Sequence, residues 1–502
     1  MGINLLALDV GTSGVHCMVT DGEGTPLATK DGPIRYFTPK GASELTLEFD
    51  PHELLDMVGT LVIEALKEAG ITGGDIKAVG VTSQRQGVVF VDREGKELLV
   101  SPNIDLRAVF EGAALDEEVG PDLYRITGHY PSLLLAPSRL RWLQNNQPAA
   151  YERLDRLLTI AGWLAFRLTG SFACEPSLAA GAGLLEVDTG KRCSALLKKM
   201  GVPESLLPPL IKAGDVVGEL LSQPAGGWGL RPGTPVTLGG ADTQCGLLGM
   251  GLVDSGETGI VAGWSCAVQM LTSTPCYDDG MNAWVGCIPL EDLWVSEANL
   301  GDAGNAHRWL KDILIGNGGS WEKADILASS VPLGSDGVFS YLGTSPMSAA
   351  KAGLKRGGIL FPTPMRYQKP RPGHMLKAFW ESLAYSLKSN LGAIEQVTGK
   401  DAEVLYLGGG MARSELMSRV TANVLNREIR RSNLPQVSAR GAAVAAAVAA
   451  GVYDGISTGV RSLAPTWEIV EPNPTAALEY REHYQQWKSL YHRLQDGESG
   501  IQ

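Results

Sequence analysis

Apolar residues near the start of the chain fall into short runs broken by glycine, the pattern of strands rather than helices. Residues 3–9 and 15–20 read as two strands joined by a glycine turn, and "TPLATKDGPI" reads as a third strand beyond a second turn at 21–24. A β-meander is therefore expected first. The period then changes. In "DPHELLDMVGTLVIEALKEAG" (50–70), Leu54, Leu55, Val58, Val62, Ile63 and Leu66 recur at helical spacing behind Asp50 as N-cap and Pro51 at the first helical position. The helix leads into "IKAVGVTSQ", which reads as a buried strand.

Residues 121–233 carry a mostly helical pattern, with "RLRWLQNN" and "GWLAFRLTG" as amphipathic pieces, and end in the Pro- and Gly-rich "PAGGWGLRPGTP". "VTLGGADTQCGLLGMG" (236–251) follows as a strand, a glycine turn and a helix, and a domain boundary is placed near 251. "GETGIVAGWSCAVQM" reads as another hairpin. A long helix is expected over 374–399, a strand at "EVLYLGGG", a helix at "SELMSRVTANVLN", and an Ala-rich helix at "ARGAAVAAAVAAG" whose lack of bulk suits close packing. Each half thus opens on a glycine-turn hairpin and closes on a strand and a helix, which hints at a duplicated α/β unit. The division expected is 1–251, 252–460 and a helical extension over 461–502.

Length agrees with this. A chain of 502 residues exceeds one ordinary core, so two large domains with a ligand cleft between them are expected. Lys and Arg are scattered and the net charge is −12, which argues against a nucleic-acid or anionic-membrane surface. Any polyanion must be held locally. The seven cysteines show no CxxC pair and no metal spacing, so they are expected to be buried thiols in a reducing compartment. With no charged leader before the first strand and an apolar helix at 441–451 too short to span a bilayer, a cytoplasmic protein is expected, with a homodimer as an allowed state.

Candidate chemistry concentrates in three glycine turns, "DVGTSG", "AGWS" and "LGGGMARS", each ending an apolar strand. Such turns bring backbone N–H groups close to an anion, and the hydroxyls add donors. None matches GxxxxGK[ST] or GxGxxG. The first turn offers Gly11, Thr12 and Ser13 to phosphates, and the second Gly263 and Ser265. In the third, Gly408, Gly409 and Gly410 leave room for adenosine, and Ser414 can cap the next helix. Two carboxylates stand beside these turns. Asp9 reads as a strand-end structural acid or as a water-mediated Mg²⁺ ligand. Asp242 reads as a helix N-cap or as a general base for an attacking hydroxyl.

Five blocks, "DVGTSGVH", "VGVTSQRQGVVFVD", "LGGADTQCGLLGMG", "LYLGGGMARSELMSRVTANVLNREI" and "ARGAAVAAAVAAG", occur in the order found in the FGGY carbohydrate kinases, and the resemblance spans about residues 4–452. The resemblance implies an α/β protein of two actin-like ATPase (ribonuclease H-like) domains flanking a deep cleft, a sugar held by the first domain and MgATP mostly by the second. It implies Asp242 as catalytic base, Asp9 and Asp242 as the metal-linked carboxylates, and the three turns as the ATP site.

The resembling subfamilies differ in substrate. "DVGTSGV" is similar to the xylulose-kinase form, Gln84 and Arg85 match the start of the glycerol-kinase motif, and "LEFD", "NIDLRA" and "AGAGLLEVDTG" are similar to autoinducer-2 kinases. Gln84, Arg85, Gln86, Asp105 and Arg107 form a set of planar donors and acceptors suited to the hydroxyls of a small open-chain ketose, with an ion pair between Asp105 and the arginines as the alternative. Trp264 or Trp163 could stack on a sugar, or belong to the core. Xylulose is the first expectation, and autoinducer-2 precursor or another polyol or ketose the alternative. His16 stands where the family has Lys or Arg, and Trp264 where it has threonine. An actin-like ATPase switch is the competing class, distinguished by ATP turnover that ignores sugar.

Overall fold

Described in a computed structural model are residues 2–351, 356–363, 369–434, 436–463 and 467–496. The first strand, Asn4–Val10, is buried at every position but its first. It lies in the middle of a six-stranded sheet. On one side it pairs antiparallel with Gly14–Asp21, which pairs with Pro26–Pro33, completing the expected meander. On the other it pairs parallel with Ile76–Ser83, which pairs parallel with Pro235–Ala241, and Val216–Glu219 closes the edge antiparallel.

The second, seven-stranded sheet repeats this plan around Thr258–Ala262. An antiparallel side runs through Cys266–Thr272 and Trp294–Asn299 to Trp284–Cys287, and a parallel side runs through Val404–Gly408 to Glu428–Ser432, closed antiparallel by Trp467–Val470. Strands end on the same side as the turns that follow them, so each parallel half presents its glycine turns at one rim.

The helix Pro51–Ala69 is capped by Asp50, whose side chain accepts from the amides of His52 and Glu53. Its buried face uses Leu61 rather than Ile63, which is 47% exposed. The long helix occupies Pro372–Thr398, and helices at Glu415–Leu425 and Val437–Ala449 follow their strands. Val437–Ala449 belongs by sequence to the second half yet packs against helix Asp242–Gly249 and against four strands of the first sheet. Its alanines allow this approach: Ala439, Ala442 and Ala443 meet Ala7 and Met18, and a Cβ on Gly441 would lie 2.0 Å from the Cys245 carbonyl oxygen.

Several elements differ from the sequence expectation. Val88–Asp92, Glu97–Ser101 and Leu154–Thr159 form a separate three-stranded antiparallel sheet, the last of them inside the region that read as mostly helical. The segment after 460 is not helical throughout, because Trp467–Val470 joins the second sheet before helix Pro474–Asp496 begins. Its residues 464–466 and 497–502 lie outside the described residues. Five cysteines are buried, but Cys193 and Cys276 are only half-buried, and all seven are free thiols. Among the described residues, no helix is long and apolar enough to cross a membrane.

Candidate functional site

The three glycine turns face one cavity of about 1020 Å³ between the two sheets. Its lining includes Asp9, Gly11, Thr12 and Ser13 from the first turn, Asp242 from the strand–helix junction, Gly263 and Ser265 from the second turn, and Gly409, Gly410 and Ser414 from the third. Every residue placed in the phosphate, metal and base sets by sequence is therefore brought together.

The first turn is held from behind. Gln84 Nε2 donates to the Gly11 carbonyl at 3.2 Å, the Tyr36 hydroxyl donates to the Thr12 carbonyl at 2.7 Å, and Asn103 Nδ2 donates to Thr12 Oγ1 at 2.9 Å. The Asn103 amide in turn donates to Gln84 Oε1 at 2.8 Å. With its carbonyls tied back, the turn is fixed before any ligand arrives.

Asp9 is buried, and its Oδ1 has no hydrogen-bond partner. Burial, then the charge of Asp242, pushes its carboxyl well above the ordinary range. Asp242 is the first residue of helix Asp242–Gly249; Ala241 holds the N-cap position, and no side-chain cap forms there. The Asp242 Oδ1 accepts the Thr243 amide at 2.8 Å. Burial raises its pKa to about 6, opposed by Arg85 and by backbone donors and assisted by Glu297.

On the opposite wall the second turn closes through Gly263 N–H to Ser265 C=O at 2.8 Å, and the Gly304 amide donates to the Trp264 carbonyl at 2.7 Å. In the third turn Gly409 has φ +102°, and a Cβ there would lie 2.5 Å from the Ala262 carbonyl oxygen, so glycine is required by the neighbouring strand. A Cβ on Gly410 would meet nothing within 4 Å. Ser414 caps helix Glu415–Leu425 by accepting the Met417 amide at 3.1 Å.

Of the sugar set only Asp242 lines the cavity; Gln84, Arg85, Gln86 and Asp105 stand outside its lining. Gln84 is buried behind the phosphate turn. Arg85 is buried and grips Glu297 of the second sheet, not Asp105. Gln86, half-buried, sits at φ +66°, a left-handed conformation uncommon outside glycine. Asp105 is not brought into the cavity; its oxygens accept from Ser101 Oγ at 2.5 Å, Arg107 Nε at 2.6 Å and the Leu47 and Arg107 amides at 3.2 Å. Trp163 is core, packed on Phe49 with its Nε1 donating to Glu97, whereas Trp264 lines the cavity.

Other lining residues carried no signal of their own in the sequence reading. Arg413, inside the third glycine motif, is exposed on the cavity wall and acts electrostatically on His16. Burial lowers the His16 pKa, with Asp31 opposing and Arg413 adding to the fall. His16 is thus neutral near pH 7, and Arg413 is the cation beside it. Trp321 is 46% exposed on the same wall, and its ring centroid lies 4.8 Å from that of His307.

Comparison with known proteins agrees with this geometry. The models of the N-terminal and C-terminal domains of the FGGY family of carbohydrate kinases match residues 4–249 and 259–450. The chain belongs to the FGGY family. As an FGGY carbohydrate kinase it is a sugar phosphotransferase with a hydroxyl acceptor. An autoinducer-2 kinase of Klebsiella pneumoniae is 29% identical over 97% of this chain and 93% of that protein. Crystal structures of a gluconate kinase and a ligand-bound xylulose kinase, both from Lactobacillus acidophilus, each superpose with a TM-score of 0.85 at 20% identity over 98% of both chains. They share the fold, two actin-like ATPase domains around a cleft.

Proposed function

We propose that the chain is an ATP-dependent kinase of a small open-chain ketose, xylulose first, with Asp242 as general base. The observation that carries this reading is that Asp9 and Asp242, distant in sequence, line one cavity with all three glycine turns. The Thr243 amide holds Asp242 Oδ1, and the other oxygen is the one this reading offers to an incoming hydroxyl. Asp242 takes the proton of that hydroxyl as its oxygen attacks the γ-phosphorus in line. The amides and hydroxyls of Gly11–Ser13 and Gly263–Ser265 receive the phosphate oxygens, and Gly409, Gly410 and Ser414 face the nucleoside. Gln84 acts by bracing the turn, and Arg85 and Gln86 border the acceptor.

The carboxylates fit Mg²⁺. Asp9 Oδ1 is buried and unpartnered, the charge of Asp242 disfavours that of Asp9, and no group of three potential ligands occurs among the described residues. Mg²⁺ keeps most of its waters and takes one or two carboxylates. When bound it neutralises the transferring phosphoryl group. MgCl₂ should raise the melting temperature of the wild type and leave that of Asp9→Asn unmoved.

A second acceptor reading, the autoinducer-2 precursor, is supported by the relative that matches nearly the whole chain. The test is ADP release from MgATP with D-xylulose, L-ribulose, glycerol, erythritol and the autoinducer-2 precursor. Turnover strictly dependent on one of them is expected, and ³¹P NMR of the product identifies the phosphorylated carbon. ATP cycling indifferent to every one of them would overturn the kinase reading in favour of a conformational switch.

A further inference from the structure

Trp284, Glu297 and Gln269 are register partners across three adjacent antiparallel strands of the second sheet. Residues directly opposite one another project to the same face. Here that face abuts the catalytic strand–helix junction of the first half. Gln269 Nε2 donates to the Thr243 carbonyl at 3.3 Å, next to Asp242. Arg85 Nη1 and Nη2 donate to Glu297 Oε2 and Oε1 at 2.7 and 2.5 Å. The guanidinium carbon lies 5.7 Å from the Trp284 ring centroid. The row is anchored to the first half by Trp284 Nε1 donating to the Tyr130 carbonyl at 2.8 Å and by Val285 N–H donating to the Gly128 carbonyl at 3.0 Å.

A buried guanidinium beside a catalytic base is a natural receptor for a carboxylate, because its fork matches two carboxylate oxygens. Arg85 is buried on the row that reaches Thr243, next to Asp242, through Gln269, and its charge acts on Asp242, so a carboxylate brought up to that base would meet its field. Glu297 already fills that fork. The side chains of the pair are 9% and 2% exposed, so the cancellation takes place out of water and is not screened away. The neighbouring His129 is held neutral by burial. Gln269 Oε1, buried and without a partner, is an uncharged acceptor on the same face.

We propose that Glu297 is a specificity-determining positioning residue: by occupying Arg85 from the opposite sheet, it closes the acceptor site to sugar acids and leaves it to uncharged hydroxylated sugars. This rests on the kinase reading above. It differs from a purely structural tie between the halves, since a tie would affect neutral and acidic acceptors alike.

The test compares kcat and KM for the preferred neutral sugar with those for D-gluconate and D-xylonate, using ADP release, and measures D-gluconate binding by calorimetry. Wild type should turn over the aldonates at least about 100-fold less efficiently than the neutral sugar. Glu297→Gln keeps the size but frees the guanidinium. It should raise kcat/KM for an aldonate at least about tenfold, chiefly through KM, while the neutral sugar loses efficiency. Removing one partner of a buried pair is destabilising, so the second variant is Arg85→Met/Glu297→Met, which removes both charges and should not gain aldonate turnover. Equal losses for both substrate classes in Glu297→Gln, aldonate turnover in the double variant, or a wild type that prefers an aldonate would each overturn the proposal. A wild type that phosphorylates neither class is a different result, in which the kinase reading itself fails.

Discussion

On the first-sheet wall of the cavity Asp9 is buried, and behind that wall Gln84, Tyr36 and Asn103 tie the phosphate turn in place. On the second-sheet wall, Gly410 faces open space, Arg413 is exposed and Trp321 is half-exposed. The contrast follows from what each wall must hold. A group that abstracts a proton gains from a fixed, desolvated setting, because nothing has to reorganise as charge develops. A wall that admits and releases a bulky nucleotide gains from room.

The comparison is broken most directly at Asp242. Asp242→Asn should lower kcat by about 10² to 10⁴ with little change in nucleotide affinity. It should also melt higher than wild type, because it removes a carboxylate whose folded pKa lies above its unfolded one and which is therefore costly to keep charged at neutral pH. Wild-type turnover in this variant would move the base elsewhere. The same raised pKa gives the next effect. A base with a pKa of about 6 is competent only above that pH, so log kcat/KM for the sugar, which reports the free enzyme, should rise with a slope near one below it and level off above. A flat profile from pH 5 to 8 would contradict this. On the open wall the effect should be smaller and should fall on binding. Arg413→Gln should raise KM for ATP by roughly tenfold and kcat should change less, with Arg413→Lys recovering most of the loss. Smallest in activity should be Asp105→Asn, which sharpens the contrast from outside the cavity: a lowered melting temperature, with kcat/KM moved least of the four.

What could be read from the sequence was local. The strand ends, the Asp50 and Ser414 caps, the glycine turns and the two acids each obey rules that act within a few residues, so quoting the stretch sufficed to place them. Arg413 sits inside the third glycine motif, but an arginine in a turn is ordinarily solvated, and only the arrival of the first turn across the cavity gives it an anion to face. Arg85 and Glu297 are 212 positions apart, and no short-range pattern announces a partner contributed by the other sheet. For Asp105 and Trp163 the structure favours the structural alternative over the sugar-binding one. Both have the right chemistry for a sugar, but Arg107 and Ser101 claim the first and the core claims the second. The strands Val88–Asp92 and Leu154–Thr159 were missed for a similar reason, since their pairing is settled by neighbours from separate segments.

Helix Val437–Ala449 has a bearing on how the protein is made. Its seat is formed by Leu5, Ala7, Met18 and Ala78 of the first sheet, yet the ribosome emits it about 360 residues after the last of these. Until then the nascent first half must carry an uncovered apolar trough. A fragment cut near residue 251 should therefore be sticky and insoluble by itself, and mixing it with the remainder of the chain should rescue it.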